Sequence, residues 1–240
     1  MNAIDNLSVK IFGDGANLAE MLALYRDPRI KGFTTNPTLM RKAGITDYES
    51  FAHEVLQAIP DRPISFEVFS DEFDEMLRQA LKFVRWGANV YVKIPVTNTR
   101  GESSVPLVRE LARCGVKVNV TAVMTLAQVR EMAAALAEGP AACVSVFAGR
   151  IADSGRDPVP LMAAAVAILG LAPNVELIWA SPRELLNIFQ ADAVGCHVIT
   201  VTGDILKKLE LVGKDLNEFS LDTVKMFYHD AQSADYSLQP

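Results

Sequence analysis

The sequence predicts an α/β protein of the (β/α)8-barrel class, with one additional C-terminal helix, built as a single domain over residues 1–240. Short runs rich in Val and Ile alternate eight times with stretches of helical period, the pattern of parallel strands joined by crossover helices. The 240 residues leave 30 for each of eight units, enough for a strand, a helix and two short loops. Neither a biased linker nor an internal repeat divides the chain.

The predicted strands are short apolar runs with many β-branched residues, as expected for strands buried on both faces. They lie at 9–12, 32–35, 64–68, 90–94, 118–121, 142–147, 176–180 and 198–201. The clearest helix follows the third strand, where apolar residues of 73–84 recur at i, i+3, i+4, i+7, i+8 and i+11. Ser70 or Asp71 is expected to cap it. The other helices are predicted at 18–25, 48–59, 104–114, 126–137, 158–170, 182–191 and 205–212.

A last helix is predicted beyond the eighth unit, capped by Ser220 and carrying Leu221, Val224 and Phe227 on one side. It has no strand of its own to cover. We therefore expect it to fold over the barrel or to pack against a neighbouring subunit of a homo-oligomer.

Composition excludes several classes of function. A net charge of −6 and a pI near 5.2 argue against nucleic acid or an anionic membrane as partner, because both require clustered Lys and Arg. The N-terminus lacks the pattern of a signal peptide, and no run of about 18 apolar residues occurs. The sequence predicts a soluble, cytoplasmic protein.

The cysteines and histidines are too scattered for a disulfide framework or a metal motif. The three cysteines, Cys114, Cys143 and Cys196, are expected as buried small residues, and the three histidines are not spaced as ligands. We expect no metal and no organic cofactor.

Polar side chains are numerous at the C-terminal ends of the predicted strands, where barrel enzymes carry their chemistry. They are Asp14, Asn36, Glu67, Lys93, Asn119, Thr121, Ser145, Ser181 and Arg183. Side chains two positions apart on a strand point to the same side, so Asn119 lies with Thr121 and Ser145 lies with Phe147. A polar cavity inside the barrel is therefore expected.

Lys93 is the candidate nucleophile. It shares its side of the strand with Tyr91, whereas Val90, Val92 and Ile94 point the other way and can pack on helices. Burial disfavours the charged form of an amine, and the uncharged form is the one that attacks a carbonyl. The alternative for Lys93 is an amine that snorkels to solvent or pairs with Glu67.

The other polar residues have structural alternatives that the sequence leaves open. Asp14 fits a turn, Asn36 a helix cap, Thr121 and Ser145 partners of buried backbone groups, and Arg150 and Arg183 surface ion pairs, with Asp153 a partner for Arg150.

Five segments, taken in order and spacing, resemble the transaldolase family, including the related fructose-6-phosphate aldolases, over nearly the whole chain. The segments are Thr34-Thr35-Asn36-Pro37-Thr38, Val92-Lys93-Ile94-Pro95, Asn119-Val120-Thr121, Phe147-Ala148-Gly149-Arg150-Ile151-Ala152-Asp153 and Ala180-Ser181-Pro182-Arg183.

The resemblance implies a role for each matching residue. Lys93 would form a Schiff base, Asp14 would be the acid/base at the hydroxyl flanking the broken bond, and Glu67 with Thr121 would hold a catalytic water. Asn36, Asn119 and Ser145 would bind the hydroxyls of the ketol, Phe147 would line the pocket, and Arg150, Ser181 and Arg183 would bind the substrate phosphate.

The reaction that the resemblance implies is the transfer of a dihydroxyacetone unit from sedoheptulose 7-phosphate to glyceraldehyde 3-phosphate, a step of the pentose phosphate pathway. Two alternatives stay open: an aldolase that releases free dihydroxyacetone, and a non-catalytic barrel that binds sugar phosphates. Aldolase relatives usually carry Gln and Tyr where this chain has Glu67 and Phe147. The sequence also departs from many relatives at Ala122-Val123-Met124 and Thr202-Gly203, which affects the fit of the substrate more than the chemistry.

Overall fold

The computed structural model describes residues 3–234 and 236, and its larger compact unit, residues 7–207, is a closed barrel of eight parallel strands. The strands are β1 (Lys10–Asp14), β2 (Ile30–Thr34), β3 (Ile64–Glu67), β4 (Val90–Pro95), β5 (Val118–Val123), β6 (Ala142–Val146), β7 (Val175–Trp179) and β8 (Val198–Thr202). Each pairs with its neighbours in chain order, and β8 closes onto β1. The predicted (β/α)8 fold is confirmed.

Helices connect the strands of the barrel. They are α1 (Leu18–Tyr25), α2 (Pro37–Lys42), α3 (Tyr48–Ala58), α4 (Phe73–Phe83), α5 (Val105–Arg113), α6 (Leu126–Leu136), α7 (Ala148–Asp153), α8 (Val159–Leu169), α9 (Leu186–Ala193) and α10 (Gly203–Leu206). No helix in the described part of the chain is both long and apolar enough to cross a bilayer.

The described residues 3–6, 208–234 and 236 belong to a second compact unit, whose main element is α11 (Leu216–Ser233). The predicted cap of this helix is wrong. Asp215 caps it, accepting hydrogen bonds from the N–H groups of Asn217 and Glu218, and Ser220 lies inside the helix. Asp caps a helix as well as Ser does, and the helical period already begins at Leu216. The single domain expected over residues 1–240 stays a prediction.

Other local predictions need correction. The predicted caps of α4 are wrong: Glu72 is its N-cap and accepts no capping hydrogen bond with its side chain. The Asp71 carboxylate binds Thr99 and Arg100 instead, and the Ser70 hydroxyl accepts from the N–H of Glu72 itself. Two short helices, α2 and α7, were not predicted because six residues are too few to establish a period. Cys114 is exposed, whereas Cys143 and Cys196 are buried as expected.

The barrel interior has an apolar layer and a polar one. The apolar cluster consists of Phe12, Cys143, Ile178, Ala180 and Val198, with Tyr91 and Phe147 packed against it. Thr34, Ser65, Lys93, Asn119, Thr121, Ser145 and Thr200 are polar and buried. Inward positions lie two residues apart on each strand, so Tyr91 and Cys143 fall in the apolar layer and Lys93 and Ser145 in the polar one. The outward residues Val92 and Ile94 are fully buried under the helices.

Candidate active site

A cavity of about 530 Å³ opens at the C-terminal ends of the strands. The predicted site residues in its wall are Asp14, Asn36, Glu67, Lys93, Thr121, Ser145, Phe147, Arg150 and Ser181. Two predicted residues, Asn119 and Arg183, lie outside the wall, and each is hydrogen-bonded to a residue in it. Nine positions from seven strands and their following loops therefore converge, as parity and strand-end position predicted.

Lys93 is almost completely buried, with 5% of its surface exposed, at the base of the cavity. Its ammonium nitrogen lies 3.2 Å from Glu67 Oε2 and donates a hydrogen bond of 2.9 Å to the carbonyl of Thr35. The sequence offered two alternatives for Lys93, an amine that points into the barrel and an amine paired with Glu67. The structure shows both together. A carboxylate at this distance keeps a buried ammonium compensated and can also accept its proton.

Asp14 lies at the end of β1 and faces the same cavity. Burial raises the pKa of its carboxyl above the usual value, while the charge of Lys93 and a hydrogen bond of 2.7 Å from the Thr34 hydroxyl act in the opposite direction. Thr34 in turn shares a hydrogen bond with the hydroxyl of Thr200. A carboxyl with a raised pKa accepts a proton more readily than an ordinary aspartate does.

Thr121 offers a buried hydroxyl whose oxygen has no hydrogen-bond partner among the described residues. Thr121 lines the cavity, and the register of β5 against β6 shifts at this point, between Val120 and Val123. The next residue, Ala122, has a positive φ of 61°, a conformation that a residue with a side chain adopts only where its surroundings enforce it. A buried hydroxyl without a partner costs stability, so this position favours a bound water or substrate.

Ser145 and Asn119 form a short polar chain at the base of the cavity. The Ser145 hydroxyl donates to Asn119 Oδ1 at 2.7 Å, and Asn119 Nδ2 donates to the Ser65 hydroxyl at 3.1 Å. Asn119 has no exposed surface, so it orients Ser145 and does not itself reach the open cavity.

Asn36 combines its two expected roles. Its side-chain oxygen caps α2 by accepting a hydrogen bond of 3.0 Å from the N–H of Leu39. The amide nitrogen then has no hydrogen-bond partner in the described residues, and the side chain lines the cavity. The cap therefore fixes the direction of two free N–H donors.

The cationic rim of the cavity consists of Arg150 from α7, with Arg183 behind it. Arg150 lines the cavity and forms no ion pair with the described residues. The Arg183 guanidinium binds Asp153 in a bidentate ion pair, at 2.8 and 2.5 Å, and also donates to the hydroxyl of Ser181 at 2.9 Å. Arg183 thus places Ser181 in the wall, and its own contact with a phosphate stays a prediction.

Gly149 is required where α7 meets the loop after β7. A Cβ at this position would lie 1.6 Å from the carbonyl oxygen of Ser181, which itself has a positive φ of 61°. The close approach of two backbones explains the glycine between Ala148 and Arg150.

Sequence reasoning missed four polar residues of the wall: Thr34, Thr38, Lys42 and Thr200. Parity along β2 and β8 would have found the first and last of these. Lys42 and Thr38 are four residues apart on α2, so they share a face, as would follow from the helix cap that the sequence allowed for Asn36.

The assembled groups can perform proton transfer and nucleophilic attack on a carbonyl. A buried amine, an adjacent carboxylate, a second carboxyl with a raised pKa and a hydroxyl without a partner surround one open space. No group of three or more His, Cys, Asp or Glu residues suited to a metal ion lies in residues 3–234 and 236.

Comparison with known proteins identifies relatives. The family model described as Transaldolase/Fructose-6-phosphate aldolase matches residues 11–238. A probable transaldolase of Dehalococcoides mccartyi is 34% identical over 202 residues, 84% of this chain and 90% of that protein. A probable transaldolase of a Thermoanaerobacter species is 32% identical over 218 residues, 90% of this chain and 95% of that protein.

Solved structures with the same fold are more distant in sequence. A 2,3-dimethylmalate lyase has a TM-score of 0.54 at 13% identity, with 98% of this chain and 86% of that chain covered. A putative phosphonomutase from Burkholderia cenocepacia has a TM-score of 0.58 at 12% identity, with 95% and 97% covered. At these identities the likeness extends to the barrel alone.

We predict that Gly149→Ala lowers the urea midpoint of unfolding, because a Cβ displaces the Ser181 backbone. The matched control is Gly203→Ala, where a Cβ meets no atom within 4 Å and φ is not positive. We expect the first variant to lose about 1–3 kcal/mol or more of unfolding free energy, as for other overpacked sites. Equal midpoints for the two variants would show that the approach of the two segments is not tight.

We also predict a pH-dependent effect of Asp14→Asn. Because the folded state holds the Asp14 proton more tightly than the unfolded state, the wild type loses stability as the pH rises above about 4, and the variant does not. The stability of the variant relative to the wild type should therefore increase with pH in urea unfolding between about pH 4 and 8.

The control for this experiment is Asp27→Asn, since a hydrogen bond from Arg29 lowers the pKa of Asp27. Its stability relative to the wild type should fall as the pH rises through the acidic range. A pH-independent difference for Asp14→Asn would contradict the raised pKa.

Proposed function

This chain belongs to the transaldolase/fructose-6-phosphate aldolase family, and we propose that it is a transaldolase that transfers a dihydroxyacetone unit between sugar phosphates through a Schiff base on Lys93. The observation that carries the proposal is the buried Lys93 amine at the base of an open polar cavity, 3.2 Å from the Glu67 carboxylate. A protein that only binds sugar phosphates has no use for a buried amine that is costly to compensate.

Lys93 is a better nucleophile than Lys42, the other lysine of the cavity wall. Lys42 is exposed on α2, where water hydrates its ammonium. Lys93 is held between Glu67 and the Thr35 carbonyl, so its proton has an acceptor and its nitrogen a fixed position.

The first half-reaction begins with attack of the Lys93 amine on the C2 carbonyl of the donor ketose phosphate. The carbinolamine loses water to give a protonated Schiff base, with the proton passed by a water held between Glu67 and the Thr121 hydroxyl. Asp14 then takes the proton of the C4 hydroxyl as the C3–C4 bond breaks. The aldose phosphate leaves, and the electron pair of the broken bond remains in an enamine on Lys93.

The second half-reaction reverses these steps with another aldehyde. The enamine carbon attacks the acceptor aldose phosphate, and Asp14 returns its proton to the new hydroxyl. Water then hydrolyses the Schiff base and frees the Lys93 amine. The raised pKa of Asp14 supports this double duty, because burial makes its carboxylate a stronger proton acceptor than an ordinary aspartate.

The ketol unit has polar partners at the base of the cavity. In this proposal Asn36 donates its free amide N–H groups to a ketol hydroxyl, and Ser145, oriented by Asn119, binds another. Phe147 closes the wall above them.

The phosphate of the substrate is placed at Arg150 and Ser181, on the opposite rim from α2. Arg150 supplies positive charge that no described carboxylate neutralises by an ion pair, and Arg183 aims the Ser181 hydroxyl. The proposed substrates are sedoheptulose 7-phosphate and glyceraldehyde 3-phosphate, converted to erythrose 4-phosphate and fructose 6-phosphate in the pentose phosphate pathway. A cytoplasmic location and assembly into a homo-oligomer are parts of this proposal.

We predict that Arg150→Ala and Arg183→Ala each raise KM for fructose 6-phosphate by about 10- to 100-fold, because a hydrogen bond to a charged group contributes about 1.5–3 kcal/mol. Arg156→Ala is the control, since its hydrogen bond is to Ser154 and it lies outside the cavity wall. KM values for fructose, which has no phosphate, should change little. An equal rise for fructose and fructose 6-phosphate would remove these arginines from the phosphate site.

Transfer and simple cleavage differ in whether the enamine is protonated before an acceptor arrives. Phe147 carries no hydroxyl that could orient a water beside the enamine, so the intermediate should wait for the acceptor. We predict that the wild type makes fructose 6-phosphate readily from sedoheptulose 7-phosphate and glyceraldehyde 3-phosphate. It should make little fructose 6-phosphate from free dihydroxyacetone and glyceraldehyde 3-phosphate. Both rates are measured in coupled assays on one preparation.

Phe147→Tyr should raise the activity with free dihydroxyacetone relative to the transfer activity. Phe147→Leu is the matched control, because it disturbs the packing without adding a hydroxyl. A wild type that uses free dihydroxyacetone as efficiently as the ketose donor would favour the aldolase over the transaldolase.

A further inference from the structure

The hydrogen-bond ladder between β2 and β3 opens beside the cavity, at Thr35. The Thr35 N–H still donates to the Ser65 carbonyl at 3.1 Å. In a regular parallel ladder the Thr35 carbonyl would next accept from the N–H of Glu67. It accepts from the Lys93 ammonium at 2.9 Å instead. The site thus uses a carbonyl that the sheet would otherwise occupy.

The hydroxyl of Tyr48, at the start of α3, binds both backbone groups of Glu67. It accepts from the Glu67 N–H at 2.9 Å and donates to the Glu67 carbonyl at 2.8 Å. Continued pairing would have brought position 37 to that carbonyl, but Pro37 has no N–H to donate. One side-chain hydroxyl therefore replaces two missing partners of the ladder.

The Tyr48 ring is held firmly by other aromatic rings. It stacks on Phe83 with ring centroids 5.5 Å apart, and it contacts Phe69 at 5.4 Å, Trp86 at 6.3 Å and Phe66 at 6.4 Å. Burial also raises the pKa of Tyr48, so the hydroxyl keeps the proton that it donates. Ring packing fixes the hydroxyl, and the hydroxyl fixes Glu67.

We infer that Tyr48 is a positioning residue for the Lys93 amine. Its hydroxyl satisfies the Glu67 backbone, which leaves the Thr35 carbonyl free for Lys93 and holds the Glu67 carboxylate on the other side of the same nitrogen. Without the hydroxyl, the Glu67 N–H loses its acceptor, and its acceptor in a regular ladder is the Thr35 carbonyl, where it would compete with Lys93. The inference rests on the proposed function, because it gives Tyr48 a role in aiming a nucleophile.

The test is Tyr48→Phe, which retains the ring and removes only the hydroxyl. We expect kcat with fructose 6-phosphate as donor to fall about 10- to 100-fold, the loss typical of a misaligned reacting group. The rate of borohydride-trappable adduct formation in a single turnover should fall equally. KM should stay near the wild-type value, because the phosphate contacts are untouched.

Three further variants separate positioning from general damage. Tyr25→Phe removes a hydroxyl that binds Asp61 away from the cavity, and it should leave both rates unchanged. Phe83→Leu keeps the Tyr48 hydroxyl but loosens the ring, so it should reproduce the defect in weaker form even if Tyr48→Phe does not fold. In a Glu67→Gln background, Tyr48→Phe should cost less than in the wild type, because both changes act on one arrangement.

The inference alone would be overturned if Tyr48→Phe formed the trapped adduct at the wild-type rate. It would also be overturned if the loss of activity in every variant matched the loss of the circular dichroism signal of the folded protein. A wild type that forms no adduct would overturn the proposed function and the inference with it.

Discussion

The ammonium of Lys93 lies where water cannot hydrate it, and the rest of the site is arranged around that constraint. A buried charge requires a counter-charge and hydrogen-bond acceptors, and here Glu67 and the carbonyl of Thr35 supply them. Providing the carbonyl requires the β2–β3 ladder to open, and an open ladder requires another partner for the Glu67 backbone. The Tyr48 hydroxyl provides it. The interactions that stabilise the Lys93 ammonium thus involve Glu67, then the Tyr48 hydroxyl, and then the aromatic rings that pack around Tyr48.

In the barrel, the residues that stabilise the fold are separate from the polar residues of the cavity. Outward side chains such as Val92 and Ile94 are fully buried under helices and hold the strands together, while the inward positions near the strand ends are polar. The apolar cluster around Phe12 and Ile178 packs in the interior, and the cavity lies at the C-terminal ends of the strands. Irregular backbone occurs at that end, where Ala122 and Ser181 adopt positive φ values beside the cavity. The strained backbone at Ala122 and Ser181 thus lies beside the cavity, as is common in functional sites.

Much of this could be predicted from the sequence, because the relevant signals are local and periodic. Apolar runs located all eight strands, and parity placed Lys93, Thr121 and Ser145 inside the barrel. The contacts that could not be predicted depend on distant partners. The pairing of Arg183 with Asp153 joins a loop to the last residue of α7, 30 positions away, and Tyr48 reaches Glu67 from a helix 19 positions away. The short helix that brings Lys42 to the cavity carries too few residues to show a period.

The account depends most on which lysine forms the covalent intermediate, because two lysines, Lys93 and Lys42, line the cavity. The direct measurement is reduction of the enzyme with borohydride in the presence of fructose 6-phosphate, followed by peptide mass analysis of the modified chain. The account predicts a three-carbon adduct on the peptide that contains Lys93 and an unmodified Lys42 peptide. A label on Lys42, or no label on either peptide in an enzyme that still catalyses transfer, would contradict it.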